Sequence, residues 1–101
     1  IVVALGGIFT ELFRDIAIRP VPVSKNEAYR MVLSLKGKDL LLGARGRPEA
    51  DVEEFARVVE QLSLLARDNS ARIKELDLNP VMVLPKGQGV KAVDLLVVLM
   101  D

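Results

Sequence analysis

Apolar and polar positions along this chain follow two different periods, and the change from one to the other marks the elements. Val2 to Leu5 is a short continuous apolar run ended by Gly6-Gly7, and Ile8 to Phe13 is a second, built of β-branched and aromatic residues around Glu11. Both read as strands. Arg14-Asp15 reads as a turn or bulge, and Ile16 to Val23 as a third extended stretch. Pro20 and Pro22 cannot donate to a ladder, which places its end at an edge. The period then becomes helical. Ser24 and Glu27 form a capping box in which Glu27 reaches back, ahead of Ala28, Met31, Val32 and Leu35 at the spacing of one helix face, and Gly37 ends the run. Asp39 to Gly43 reads as a short strand, and Gly43 to Pro48 as a loop. Asp51, with Glu54 three residues on, caps a longer helix. Its core face carries Val52, Phe55, Ala56, Val59, Leu62 and Ala66, and Asp68-Asn69-Ser70 ends it. Ile73 to Leu84 and Val90 to Leu99 are extended runs joined by Lys86-Gly87-Gln88-Gly89, the pattern of a β-hairpin.

Strands therefore gather at both ends of the chain with two helices between them. That order predicts an α+β fold, an antiparallel or mixed sheet with two helices on one face, rather than a doubly wound parallel sheet. With 101 residues, the chain is one domain at most. Its apolar start, with no initiator methionine, reads as a strand inside a longer protein, so residues 1–101 are expected to be a single subdomain of a larger one.

Composition narrows the function classes. Fourteen basic residues balance fourteen acidic ones, and no basic stripe is interleaved with aromatics, so nucleic acid is not an expected partner. Half the residues are hydrophobic, enough for a core, but no apolar run is long enough to span a membrane. No targeting segment is apparent within these residues, and a cytoplasmic location is expected. Cysteine and histidine are absent, which excludes disulfides, thiolate and imidazole metal sites, and a histidine-based triad within this chain.

The chemistry-bearing residues are oxygen donors. In Glu75-Leu76-Asp77-Leu78-Asn79-Pro80, strand alternation puts Glu75, Asp77 and Asn79 on one face, and Asp94 follows on the returning strand. Such a set suits a hard cation such as magnesium, which takes oxygen ligands and shares them with phosphates. Taken alone, a patch like this is more often a solvated strand face. Counting back from the turn, Asn79 and Asp94 are slightly out of step, a mismatch that Pro80 or a bulge would correct. A second feature is Gly43-Ala44-Arg45-Gly46-Arg47, where glycines permit close approach and arginine offers a fork for phosphate; a plain basic surface loop is the alternative. The third, Leu5-Gly6-Gly7-Ile8-Phe9-Thr10-Glu11, lacks the spacing of either common phosphate-binding glycine motif. Glu11 equally suits an edge-strand charge, and Arg14 and Arg19 suit surface pairs with Glu11 and Asp15.

In order along the chain, GGIFTELFRDIAIRPVPVS, LLLGARGRP and KELDLNPVMVLPKGQGVKAVD resemble the second half of the ATP-grasp domain in NDP-forming acyl-CoA synthetases. These are the ADP-forming acetyl-CoA synthetases and their succinyl-CoA synthetase beta-chain relatives. The resemblance spans about Leu5 to Asp94. It implies the C-terminal α+β subdomain of an ATP-grasp. It also implies a reaction in which ATP or another NTP, an organic acid and CoA give an acyl-CoA, through an acyl phosphate and a phosphorylated histidine. Asn79 and Asp94 match the family's magnesium ligands, Asp77 the first acidic position of that motif, and Gly43, Arg45 and Gly46 its nucleotide-contacting loop. Partners implied are the other ATP-grasp half and the CoA-binding and ligase domains. The chain alone is expected to be inactive. One departure stands out: where the family often has a small residue then Arg or Lys after the aspartate, this chain has Leu95 and Leu96. That leaves two alternatives, a non-catalytic ligand-sensing domain, as in some protein acetyltransferases, and a small α+β interaction module.

Overall fold

The computed structural model describes residues 1–6 and 14–101. The strand expected over Ile8 to Phe13, with Glu11, lies outside the described residues. Among the described residues six strands and two α-helices follow in the order β1 (Val2–Ala4), β2 (Ile16–Ile18), α1 (Lys25–Leu33), α2 (Val52–Asp68), β3 (Ile73–Leu78), β4 (Val81–Val83), β5 (Val90–Ala92) and β6 (Leu95–Leu99). Every described ladder is antiparallel: β1 with β2, β3 with β6, and β4 with β5. The fold is α+β, as the pattern predicts.

The core lies between the β1–β2 ladder and the helix pair. Val3 and Ala17, directly opposed, turn inward onto Ala28, Met31, Val32 and Leu35 of the first helical segment and Val52, Ala56 and Val59 of α2. Ser63 is as deeply buried as Met31. Its Oγ accepts from Val23 N–H at 3.1 Å and lies 2.8 Å from the Glu60 carbonyl and 3.2 Å from that of Val23. This hydroxyl satisfies the backbone where the β2–α1 connection crosses α2, a need the apolar spacing of α2 does not reveal.

Several elements differ from the expected ones. Residues 39–43 are not a strand. Leu40, Leu41 and Leu42 donate back to Gly37, Lys38 and Lys38, so a 3₁₀ turn at Lys38–Leu40 uses the N–H groups a ladder would need. The extended stretch from Ile16 pairs only as far as Arg19, whose N–H donates to the Ile1 carbonyl at 3.0 Å, and the strand itself ends at Ile18. The start of α1 is capped by Ser24 Oγ, which accepts from Glu27 N–H at 3.1 Å. Glu27 itself bonds Arg19 Nε at 2.9 Å and Arg30 Nε at 3.0 Å instead of reaching back. Those two guanidinium groups hold its carboxyl below the usual glutamate range. Asp15, expected on the surface beside Arg14 or Arg19, is buried. It accepts from the N–H groups of Lys36 and Gly37 at 2.6 and 2.8 Å. Gly37 packs directly on Leu5, so the residue that ends the helical pattern also leaves no room for a side chain.

Candidate functional site

The long hairpin at the C-terminal end carries the candidate ligands. Leu84 N–H donates to the Gly89 carbonyl at 3.0 Å and closes a turn over residues 85–88. Below it the pairs Val83–Val90, Val81–Ala92, Leu78–Leu95, Asp77–Leu96 and Glu75–Val98 keep one register. The anticipated mismatch at Asn79 is therefore absent. Counted from Leu84 and Gly89, Asn79 stands directly opposite Asp94, and its N–H donates to the Asp94 carbonyl at 3.2 Å. The irregularity lies further down, between Ile73 and Glu75. Pro80, which has no N–H, and the residues opposite interrupt the strands, splitting the hairpin into β3–β6 and β4–β5.

Alternation puts Glu75, Asp77 and Asn79 on the exposed side, while Leu76 and Leu78 are half-buried. Asp94 shares the face of Asn79 because directly opposed residues do, with Cβ atoms about 5 Å apart. Asp94 is exposed, and its Oδ1 accepts from Leu95 N–H at 2.8 Å. Among the described residues neither Asp77 nor Asp94 belongs to an ion pair. Next along the same face, opposite Asp77, is Leu96, 53% exposed. An apolar side chain, rather than a cation, therefore stands across the ladder from Asp77.

Between β1 and the β3–β4 edge runs an open trough of about 750 Å³. Asp77, Asn79, Pro80 and Val81 stand on one side and Val2 to Leu5 on the other, with Val32, Val52 and Phe55 contributed by the helical segments. Leu41 also lines it; Gly43 and Gly46 are not among its described lining residues. Gly43 precedes a 3₁₀ turn at Ala44–Gly46, and Gly46 is its last residue. Gly43 has φ 94°, and a Cβ there would come within 3.2 Å of the Arg47 carbonyl, so this position demands glycine on both counts. The side chain of Arg45 lies outside what is described.

Asp51 is the residue whose further role sequence spacing missed. As expected it caps α2, Oδ1 accepting from Glu54 N–H at 3.3 Å. Its other oxygen, Oδ2, accepts from Gly87 N–H at 3.1 Å and Gly89 N–H at 2.8 Å, in the hairpin turn. The Gly89 bond, then those of Glu54 and Gly87 and the nearby Lys86 charge, outweigh burial and hold its carboxyl below the usual aspartate range.

Asn79 and Asp94 fit magnesium as part of a site rather than a whole one. One neutral amide oxygen and one carboxylate, opposed on adjacent strands and open to solvent, are the kind of protein share this ion takes when phosphates and water complete its shell. No group of three or more Asp, Glu, His or Cys among the described residues is placed to hold a metal unaided. No helix among them is long and apolar enough to cross a membrane.

Comparison with known proteins agrees with this architecture. The ATP-grasp domain family model matches residues 1–99. The beta subunit of ADP-forming acetate–CoA ligase II from Pyrococcus furiosus is 39% identical over 99 residues, covering 98% of this chain and 42% of that protein. The ADP-forming 4-hydroxybutyrate–CoA ligase of Nitrosopumilus maritimus is 38% identical over 94 residues, covering 93% of this chain and 13% of that protein. Among solved structures, a Pyrococcus horikoshii protein superposes with a TM-score of 0.91 at 36% identity, over 98% of this chain and 41% of that one. The dinucleotide forming acetyl-coenzyme A synthetase 1 of Ca. Korarchaeum cryptofilum, in complex with coenzyme A and Mg-AMPPCP, gives 0.89 at 37% identity. That match covers 98% of this chain and 45% of that one. This chain thus spans less than half the length of these relatives. With the family model matching residues 1–99 and the α+β hairpin architecture in place, the chain belongs to the ATP-grasp domain family, in the branch of the ADP-forming acyl-CoA synthetases.

Proposed function

We propose that residues 1–101 form a single subdomain that supplies one wall of a magnesium–nucleotide cleft in an acid–CoA ligase. The whole protein would make an acyl-CoA from an organic acid, CoA and ATP or another NTP, with release of NDP and phosphate. The observation that carries this reading is the hairpin register, which sets Asn79 against Asp94 with Asp77 next on the same face. The likeness to ADP-forming ligases, and to a synthetase solved with Mg-AMPPCP, supports it.

Phosphoryl transfer asks a protein mainly for positioning and charge compensation. A bound magnesium ion would supply the charge that offsets the phosphate oxygens. Asn79 contributes an oxygen without adding negative charge beside a polyphosphate. Asp94 contributes one anionic carboxylate, one of whose oxygens the Leu95 N–H already holds. Asp77 adds a second negative charge two residues along from Asn79. The loop with Gly43, Arg45 and Gly46 is assigned to nucleotide contact, its glycines allowing close approach and Arg45 meeting phosphate. The remaining ATP-grasp half and the CoA-binding and ligase domains are its partners, and the subdomain alone is inactive. In the protein that carries this chain, Asp94→Ala abolishes magnesium-dependent ADP–ATP exchange; undiminished exchange overturns the assignment.

Leu96 opposite Asp77 favours one second reading, a domain of the same fold that binds nucleotide without turning over. Under that reading the intact protein binds magnesium–nucleotide through Asn79 and Asp94 yet forms no acyl-CoA from any acid.

A further inference from the structure

We infer that Asp51 is a positioning residue for the Asn79–Asp94 pair: it sets the register of the hairpin from its tip and ties that register to the segment following the Gly43–Gly46 loop. The inference rests on the reading of Asn79 and Asp94 as magnesium ligands.

The tip of the hairpin is fastened to residues 49–51 along the whole turn. The Asp51 N–H donates to the Leu84 carbonyl at 2.7 Å, and Lys86 N–H donates to the Glu49 carbonyl at 2.8 Å. Ala50 and Pro85 form an isolated antiparallel bridge. The Asp51 side chain then spans the rest, Oδ2 taking the N–H groups of Gly87 and Gly89 while Oδ1 takes that of Glu54 at the start of α2. Gly87 and Gly89 have φ of 87° and 85°, and no atom lies within 4 Å of a Cβ built on either. Glycine is therefore required there by backbone conformation, not by space, and that conformation aims both N–H groups at one carboxylate oxygen.

Register makes this consequential. The pairing runs without a slip from Leu84 and Gly89 through Asn79 and Asp94. A slip of one residue would turn every side chain of one strand to the other face, removing Asp94 from Asn79. On the tip side of the pair Pro80 lacks an N–H for the ladder and β4 and β5 are three residues each. The fastening of the tip therefore acts together with the Val93 N–H bond to the Pro80 carbonyl at 2.9 Å and with the β3–β6 ladder, which keeps the same register on the other side. The same strap reaches the glycine loop. Ala50 N–H donates to the Leu41 carbonyl at 2.8 Å, and Gly43 packs against Arg47 and Glu49. One carboxylate thus couples two candidate ligand-binding segments that are 33 positions apart at their nearest, from Gly46 to Asn79.

The test compares Asp51→Asn with Ser63→Ala in the protein that carries this chain. Asparagine still caps a helix but has a single acceptor oxygen, so it cannot serve Glu54 and the two glycines together. Ser63→Ala weakens the fold without touching the hairpin. Binding of Mg·ADP is titrated with magnesium, and exchange of the Asn79 and Gly89 amides is followed. Asp51→Asn raises the magnesium concentration for half-maximal nucleotide binding about tenfold, the low end of what removing support from a metal ligand costs. It also speeds exchange at both amides, whereas Ser63→Ala changes neither at matched stability. Unchanged magnesium dependence in Asp51→Asn, beside a clear loss in Asp94→Ala, overturns the inference. If Asp94→Ala itself has no effect, the ligand assignment fails, and exchange still decides whether Asp51 holds the register: unaltered Asn79 exchange in Asp51→Asn overturns it.

Discussion

Ser63→Ala isolates one buried hydrogen bond whose cost follows from the structure. The Ser63 side chain is wholly buried, and its Oγ is the acceptor for Val23 N–H at 3.1 Å. Alanine removes that acceptor, while burial keeps water from replacing it. The hydroxyl hydrogen contributes less, since Ser63 Oγ has the Glu60 carbonyl at 2.8 Å and the Val23 carbonyl at 3.2 Å, and the Glu60 carbonyl lies within α2, where a helical N–H can also serve it. The dominant loss is one unsatisfied buried donor, about 1–3 kcal/mol. For a domain of this size, about 2 kcal/mol lowers Tm by roughly 10 °C. Urea unfolding of the wild type and of Ser63→Ala, followed by far-UV circular dichroism, measures it, with the same m value expected for both. A loss below about 0.5 kcal/mol, the range of an ordinary surface substitution, would mean that Val23 N–H finds another partner and that this hydrogen bond does not carry the assigned stability.

Other outcomes follow from the same contacts. Met31→Ala, at a fully buried position, costs about 2–5 kcal/mol and exceeds Ser63→Ala in the same unfolding assay. Acid weakens the fold. Glu27, Asp51 and Glu54 are held below their ordinary ranges, Glu54 chiefly by its bond to Arg57. Their stabilisation is complete above the unfolded values and is lost as pH falls through the lower folded ones. Unfolding curves should therefore coincide from neutral pH down to roughly pH 5 and shift below about pH 4; Asp51→Asn makes that acid dependence shallower. Gly89→Ala, forcing a side chain onto φ 85°, costs about 1–2 kcal/mol by denaturant titration, and Gly89→Asn costs less. Leu96→Arg sets a cation opposite Asp77 and adds about 0.2–1 kcal/mol, an increment that salt diminishes in thermal unfolding.

Local signals made the helices legible. Ser24 and Asp51 cap where their side chains predict, and the helical spacing of Ala28, Met31, Val32, Val52, Ala56 and Val59 returns as the buried core. The hairpin was legible too, because Gly87 and Gly89 mark its turn and alternation places Asp77 and Asn79 together. What escaped was long-range. Asp51 meets Gly87 and Gly89, 36 and 38 residues away, through backbone N–H groups that every non-proline residue has. Ser63 is invisible for a similar reason, its partner being the backbone of Val23. Residues 39–43 read as a strand because Leu40, Leu41 and Leu42 are apolar, yet local turns at Gly37 and Lys38 claim their N–H groups. Leu76 and Leu78 are only half-buried, lining a second open cavity of about 440 Å³ beside Phe55, Val59 and Leu62 where their alternation alone would suggest a closed core.

The central claim is that Asn79 and Asp94 together hold the magnesium of a bound nucleotide. Its most direct test is calorimetric titration of ADP into the protein that carries this chain, with and without magnesium, for the wild type, Asn79→Ala and Asp94→Ala. Magnesium is expected to tighten ADP binding in the wild type, and each substitution to remove more than about tenfold of that gain, leaving magnesium-free binding unchanged. Equal magnesium dependence in all three proteins would contradict it.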